Sequence, residues 1–211
     1  MKPQGSRWSF FCQNCFRATG RLDMIPIMID VKGKPVLIVG YGAVGRRKAE
    51  LFLTEGAQVY LYDLQASLET SGIPTVEDVF SDDTAYFMVV VCTDDRDFNH
   101  RIVDHFKNKA LVNVADSPED SCFHNMASVR RGELTVAVST NGGYPGVGKR
   151  IKNELENFFE EDYGCYLAYL AGERKKYLSL EEAEKKRQLD RLLAIDYKTY
   201  KKMKESQCLE N

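Results

Sequence analysis

No run of apolar residues in this chain approaches the roughly 18 needed to cross a bilayer, and its start lacks the charged-then-apolar layout of a secretory leader. A membrane partner is therefore not expected, and a cytoplasmic setting is. Excess charge of one sign is missing too: 29 basic side chains face 31 acidic ones, for a net charge of −2. That balance gives no reason to expect nucleic acid. Histidine is scarce, and His100, His105 and His124 lack metal-ligand spacing, so packing or surface roles are expected and no metal site is. The six cysteines are scattered, which suits reduced thiols better than a disulfide framework. Cys12 and Cys15, the one close pair, make half a zinc site with no second half nearby.

What is present begins with four apolar residues, Val36, Leu37, Ile38 and Val39, running into Gly40-Tyr41-Gly42-Ala43-Val44-Gly45 and then into a helical pattern with Ala49, Phe52 and Leu53 on its apolar side. Strand, glycine turn and helix read as the first unit of a dinucleotide-binding domain. Gly40 permits the tight turn, Gly42 lets the backbone approach a pyrophosphate, and Gly45 lets the helix lie close to the sheet. The free N–H groups at the helix start, around Ala43 and Val44, would receive the diphosphate. The helix stops at Glu55-Gly56, and a second strand, Gln58-Val59-Tyr60-Leu61-Tyr62, ends on Asp63, followed by Leu64. A carboxylate at that distance accepts the adenosine ribose hydroxyls and would repel a 2′-phosphate, so NAD is favoured over NADP. The blander reading is a sheet turn that binds nothing; the second strand and its acid weigh against it.

Residues 1–23 show no helical or alternating period and are expected to be an extension outside the fold. Ile25 to Asp30 is a short apolar segment that Pro26 confines to an edge or a lead-in. Beyond a polar stretch with Gly72 and Pro74, eight apolar residues from Ala85 to Cys92 predict a strand buried on both faces, ending on Thr93-Asp94-Asp95. A helix over 98–107 and a strand over 111–115, ending on Asp116-Ser117-Pro118, follow. This rhythm predicts an α/β fold, a Rossmann-type doubly wound parallel sheet, whose ligands lie at the carboxyl ends of the strands. Topology thus puts Thr93, Asp94, Asn113 and Asp116 near the cofactor. Then the pattern changes. An Arg130-Arg131-Gly132-Glu133 turn leads to an alternating strand over 134–140, Pro145 suits the first turn of a helix over 146–159, and 163–204 is charged and helical. Such a tail has too little core to stand alone and must pack on the first domain or on a partner subunit.

Taken in order, several of these motifs resemble one family. Pro26-Ile27-Met28 ahead of the glycine turn, Cys92-Thr93-Asp94-Asp95 with Asn99, Asn113-Val114-Ala115-Asp116-Ser117-Pro118, Val129-Arg130-Arg131-Gly132-Glu133-Leu134, Ala137-Val138-Ser139-Thr140 and Pro145 are similar to the precorrin-2 dehydrogenases of sirohaem synthesis, also found as the dehydrogenase/ferrochelatase module of sirohaem synthases. The likeness covers 24–159. It implies an enzyme that oxidises precorrin-2 to sirohydrochlorin with NAD+, in some members followed by Fe2+ insertion, and a homodimer. It also implies the division into a Rossmann domain (24–128), a dimerisation segment (129–157) and a helical tail (158–211). The family's proposed catalytic aspartate falls on Asp116, where a carboxylate at a strand's end is placed to take a proton. The alternative is that Asp116 caps the Ser117-Pro118 turn.

Precorrin-2 carries eight carboxylates, so cations are sought: Arg130, Arg131, Lys149, Arg150 and Lys152 supply them, unless they form only a solvated face. Asn113, Ser139 and Thr140 complete the expected substrate side. Two departures from the family's pattern, Met126 in place of proline and Tyr144 in place of a small hydroxyl residue, bear on the tetrapyrrole pocket. The carboxyl-terminal methyltransferase of the fused enzymes is not found in the sequence. A different class of function, a non-catalytic NAD(H)-sensing module, explains the glycines and Asp63 but not the later motifs. No ligand set in the sequence decides whether Fe2+ is a chelation substrate.

Overall fold

The structure is a computed structural model that describes residues 24–63, 72–141 and 143–209, with side chains up to 206. The expected extension at 1–23, the Cys12/Cys15 pair and Leu64 lie outside the described residues. The chain divides into two compact units, Met1–Asn125 and Met126–Asn211.

In the first unit, β1 (Pro35–Val39), β2 (Gln58–Tyr62), β3 (Met88–Val91) and β4 (Leu111–Val114) form one parallel sheet in the order β2-β1-β3-β4. Val36, Leu37, Ile38 and Val39 are fully buried because β1 lies mid-sheet with a helix layer on each face. One face packs Ala49 and Phe52 of helix α1 (Ala43–Thr54) on Val36, Ile38, Leu61 and Val90. The other packs Phe98, Ile102 and Phe106 of helix α2 (Arg96–Phe106) on Leu37, Val39, Val89 and Val91. Gly56, at φ +77°, ends the first helix in the left-handed conformation expected of it. Asp95 caps the second helix, accepting from the Phe98 N–H at 3.0 Å.

Two details differ from the sequence reading. The strand expected from Ala85 begins only at Met88, because its neighbour β1 starts at Pro35, whose carbonyl takes the Phe87 N–H. The stretch with Gly72 and Pro74 is not merely polar loop: the Leu61 N–H bonds the Pro74 carbonyl at 2.9 Å and the Val76 N–H bonds the Leu61 carbonyl at 2.8 Å, a parallel bridge along the outer side of β2. Proline is tolerated there because the bridge uses only its carbonyl and takes its N–H from Val76.

The second unit opens with an antiparallel hairpin, β5 (Ala127–Arg131) and β6 (Leu134–Val138), turned through Gly132 at φ +58° and Glu133. Arg130 and Arg131, expected in the turn, belong to β5. Helix α3 (Pro145–Phe158) follows, with proline in its first turn. The expected helical tail is three helices, α4 (Tyr163–Tyr177), α5 (Glu182–Leu193) and α6 (Tyr197–Leu209). A ladder of rings, Phe158, Phe159, Tyr163, Tyr166 and Tyr200, links α3, α4 and α6 at centroid spacings of 4.9 to 5.5 Å. No helix of the described residues is long and apolar enough to cross a membrane.

Candidate active site

Chain order sends β2 to one side of β1 and β3 to the other, so a crevice opens at their carboxyl ends. A cleft of roughly 350 Å³ lies there, lined by Gly40, Gly42, Asp63, Thr93 and Asp94 among others. Gly40 sits at φ +89° with space for no side chain: a Cβ would stand 2.9 Å from the Cys92 carbonyl. At Gly45 a Cβ would fall 1.9 Å from the Gly40 carbonyl oxygen, so only glycine lets α1 seat against the turn. Gly42 is the reverse case, with nothing within 4 Å of such a Cβ. That open side faces the start of α1, where Ala43 and Val44 are exposed, no side chain caps the helix and its first turn holds no acid. The unmatched N–H groups there suit an anion.

Asp63 ends β2 beside this turn, its Oδ2 accepting the Tyr41 N–H at 2.6 Å, while the Gly40 N–H bonds the Tyr62 carbonyl at 2.8 Å. The ends of two neighbouring strands are thereby tied together. Arg46, which sequence reasoning passed over, steadies Tyr41 from α1: its guanidinium lies 4.7 Å over the ring and its Nε donates to the Tyr41 carbonyl. Thr93 is held by buried Asn99, which accepts from its hydroxyl and donates to its carbonyl at 2.9 Å. Cys92 also lines the cleft, and burial pushes its thiol up to about 11, which leaves it protonated at neutral pH. A glycine cradle, an uncapped helix start and a carboxylate at the adjoining strand end fit a dinucleotide, the last suited to ribose hydroxyls.

Asp116 follows β4 and is exposed in a second cleft of roughly 190 Å³, with Arg96, Asn99, His100 and Asp120. The turn after it is held without its help. Ser117 Oγ donates to Asp120 at 2.6 Å and Ser121 Oγ to the Ser117 carbonyl at 2.9 Å. Asp116 makes no side-chain hydrogen bond to the described residues, which removes the support for a turn-capping role.

Asn113 departs from the expectation of direct substrate contact. It is 4% exposed and lines neither cleft; its amide donates to the Phe123 carbonyl at 2.9 Å and to Ser121 Oγ at 3.3 Å. Its position on the α1 face of the sheet, paired with Val90, turns it inward. Arg131 departs as well. Its Nε donates to the Phe159 carbonyl at 2.7 Å and its Nη2 to the Glu156 carbonyl at 3.1 Å, so the guanidinium closes the carboxyl end of α3. Helix ends leave carbonyls without partners and carry partial negative charge, and a cation satisfies both. Arg130 is exposed on β5 opposite Thr135. Lys149 and Arg150 are exposed on α3, Arg150 lying 3.8 Å from Glu154. Ser139 and Thr140 lead from β6 toward α3; Ser139 Oγ accepts the Asn141 N–H at 3.0 Å and the Thr140 carbonyl accepts the Gly143 N–H at 2.9 Å.

Known proteins agree with this geometry. A family model described as "Putative NAD(P)-binding" matches residues 27–127. The chain is 36% identical over 159 residues to a precorrin-2 dehydrogenase of Priestia megaterium, covering 70% of this chain and 77% of that protein. It is 32% identical over 187 residues to siroheme synthase 3 of Aeromonas hydrophila, covering 83% of this chain but only 40% of that longer protein. The solved structure of "SirC, precorrin-2 dehydrogenase" superposes with a TM-score of 0.66 at 30% identity, covering 83% of this chain and 92% of that one. With the relative from Priestia megaterium matched over most of its length, the chain belongs to the precorrin-2 dehydrogenase family.

Proposed function

We propose that this chain catalyses the NAD-dependent oxidation of precorrin-2 to sirohydrochlorin, a step in the making of siroheme. The observation that carries this reading is the cleft at the ends of β1 and β3, where the open side of Gly42, the uncapped start of α1 and Asp63 meet. Bound NAD+ supplies the hydride acceptor. Gly42 and the N–H groups around Ala43 and Val44 hold its diphosphate in the turn that Gly40 and Gly45 shape, and Asp63 takes the ribose hydroxyls.

Dehydrogenation removes a hydride and a proton, and the proton needs a base. Asp116 takes that role: its carboxylate is exposed at the end of β4 and has no hydrogen-bonding duty in the turn that follows. Arg130, Lys149 and Arg150 receive substrate carboxylates, together with Ser139 and Thr140. Buried Asn113 and helix-capping Arg131 act instead by holding the Ser121–Phe123 segment and the end of α3. The chain works as a homodimer in the cytoplasm, its second unit supplying the interface. Exposed Phe158 and Leu193 support that role, since a lone unit gains nothing by leaving them in water.

An anaerobic assay of the purified chain with precorrin-2, NAD+ and Fe2+, followed by absorbance, tests the reading. Formation of sirohydrochlorin with equal NADH supports it, and inert precorrin-2 contradicts it. Siroheme appearing as well would add chelation, with Fe2+ as a second substrate.

A further inference from the structure

Lys48 lies outside the lining of both clefts. It stands on α1 three residues after Gly45, whose contact with the Gly40 carbonyl fixes the helix to the turn, and next to buried Ala49. Its side chain is half-buried on the flank of α1. Its Nζ donates to Asn125 Oδ1 at 2.8 Å, and no carboxylate of the described residues lies within ion-pair distance. Asn125 is itself brought there by the segment that Asn113 anchors through the Phe123 carbonyl. The charges of Lys48, Arg47 and Asp116 all reach the Cys92 thiol, which lines the cofactor cleft. One neutral amide is poor compensation for an ammonium withdrawn from water. Burial accordingly lowers the Lys48 pKa below the ordinary lysine range. On the same sheet face Asn113 Oδ1 is buried without a partner, a second polar atom left open near the Phe123–Asn125 segment.

We propose that Lys48 is a further substrate-binding residue, whose ammonium, held by Asn125, receives a carboxylate arm of the tetrapyrrole. The inference rests on the reading above, because an octacarboxylate substrate supplies the anion that this chain does not. The cofactor diphosphate is the other anion to consider. It belongs at Gly42 to Val44, whereas Lys48 lies more than a turn further along α1 and donates to Asn125. A carboxylate there brings the lysine a charged partner and orients the macrocycle near Asp116.

The test titrates uroporphyrin, a stable octacarboxylate tetrapyrrole, and separately NAD+, into the wild type, Lys48→Met and Lys48→Arg, with melting temperatures taken alongside. Losing a charged hydrogen bond weakens binding by about ten- to hundredfold. Lys48→Met should therefore bind uroporphyrin that much more weakly, keep its NAD+ affinity within twofold and melt no lower than the wild type, with Lys48→Arg recovering part of the loss. Equal uroporphyrin affinity in a folded Lys48→Met protein overturns the assignment. So does a loss confined to NAD+, or a lower melting temperature with both affinities falling, the mark of a mere clamp on Asn125. Turnover of precorrin-2 by the wild type is read separately and bears on the proposed function, so the two failures are distinct.

Discussion

Val36, Leu37, Ile38, Val89, Val90 and Val91 of the sheet unit are wholly buried, whereas among the described large apolar side chains of the hairpin unit only Val129, Tyr166 and Leu192 are buried, and Phe158 stands at 72% and Leu193 at 78% exposure. In the first unit a continuous apolar run forms each central strand, and two helices cover it. In the second, cohesion comes from edge-on aromatic rings, from Arg131 on the end of α3 and from glycine-on-glycine packing, where a Cβ on Gly164 would lie 2.9 Å from the Gly132 nitrogen. The two units thus divide the work. A covered sheet carries the cofactor cleft, while a unit with apolar side chains left in water offers them to a partner.

That contrast can be broken by truncation. Leu37→Ala opens a cavity between sheet and α2 and should cost about 3 to 5 kcal/mol in urea unfolding of the sheet unit. Leu193→Ala, in water within a single copy and covered only at the proposed contact between copies, should change the stability of the dilute monomer by less than about 0.5 kcal/mol. Comparable losses for the two would show that burial does not separate the units as described.

A smaller effect sharpens the role assigned to Arg131. Arg131→Met keeps the aliphatic stem but removes the donors to the Glu156 and Phe159 carbonyls, and hydrogen bonds to charged groups contribute about 1.5 to 3 kcal/mol. Hydrogen exchange at the carboxyl end of α3 should accelerate accordingly while the sheet unit stays protected. Unaltered exchange, with weakened tetrapyrrole binding instead, would return Arg131 to the substrate side.

The smallest change expected is a gain. Tyr144 occupies the cap position of α3 without a side-chain bond to the helix, and a small hydroxyl residue there satisfies a free N–H. Tyr144→Ser should stabilise the first turn of α3 by about 1 kcal/mol. An unchanged or lower protection factor would mean that the ring packs usefully in solution.

Much of the sheet unit was legible in the sequence because two-sided burial writes itself as unbroken Val, Ile and Leu, as at Val36 to Val39. Asp63 and Asp116 followed from topology, being the residues after strands. What tertiary contact decides was not legible. The strand β5 went unread because Val129 is its only buried residue and Arg130 and Arg131 resemble a turn. The guanidinium of Arg131 meets its carbonyl partners only when α3 folds back over 25 to 28 residues of sequence. Lys48 carries no signal in the sequence, because its partner Asn125 lies 77 residues on. Asn113 was placed in the correct strand, yet inward or outward depended on a register shared with Val90.

The claim on which the mechanism depends is that Asp116 is the base, and Asp116→Asn tests it most directly. Asparagine keeps the shape and an accepting oxygen but loses basicity, and a positioned general base contributes about 10²- to 10⁴-fold. The kcat for precorrin-2 oxidation should fall within that range, with NAD+ affinity within a few-fold of wild type and an unaltered melting temperature, because Ser117, Asp120 and Ser121 hold the turn. A folded Asp116→Asn enzyme with near-normal kcat would contradict it.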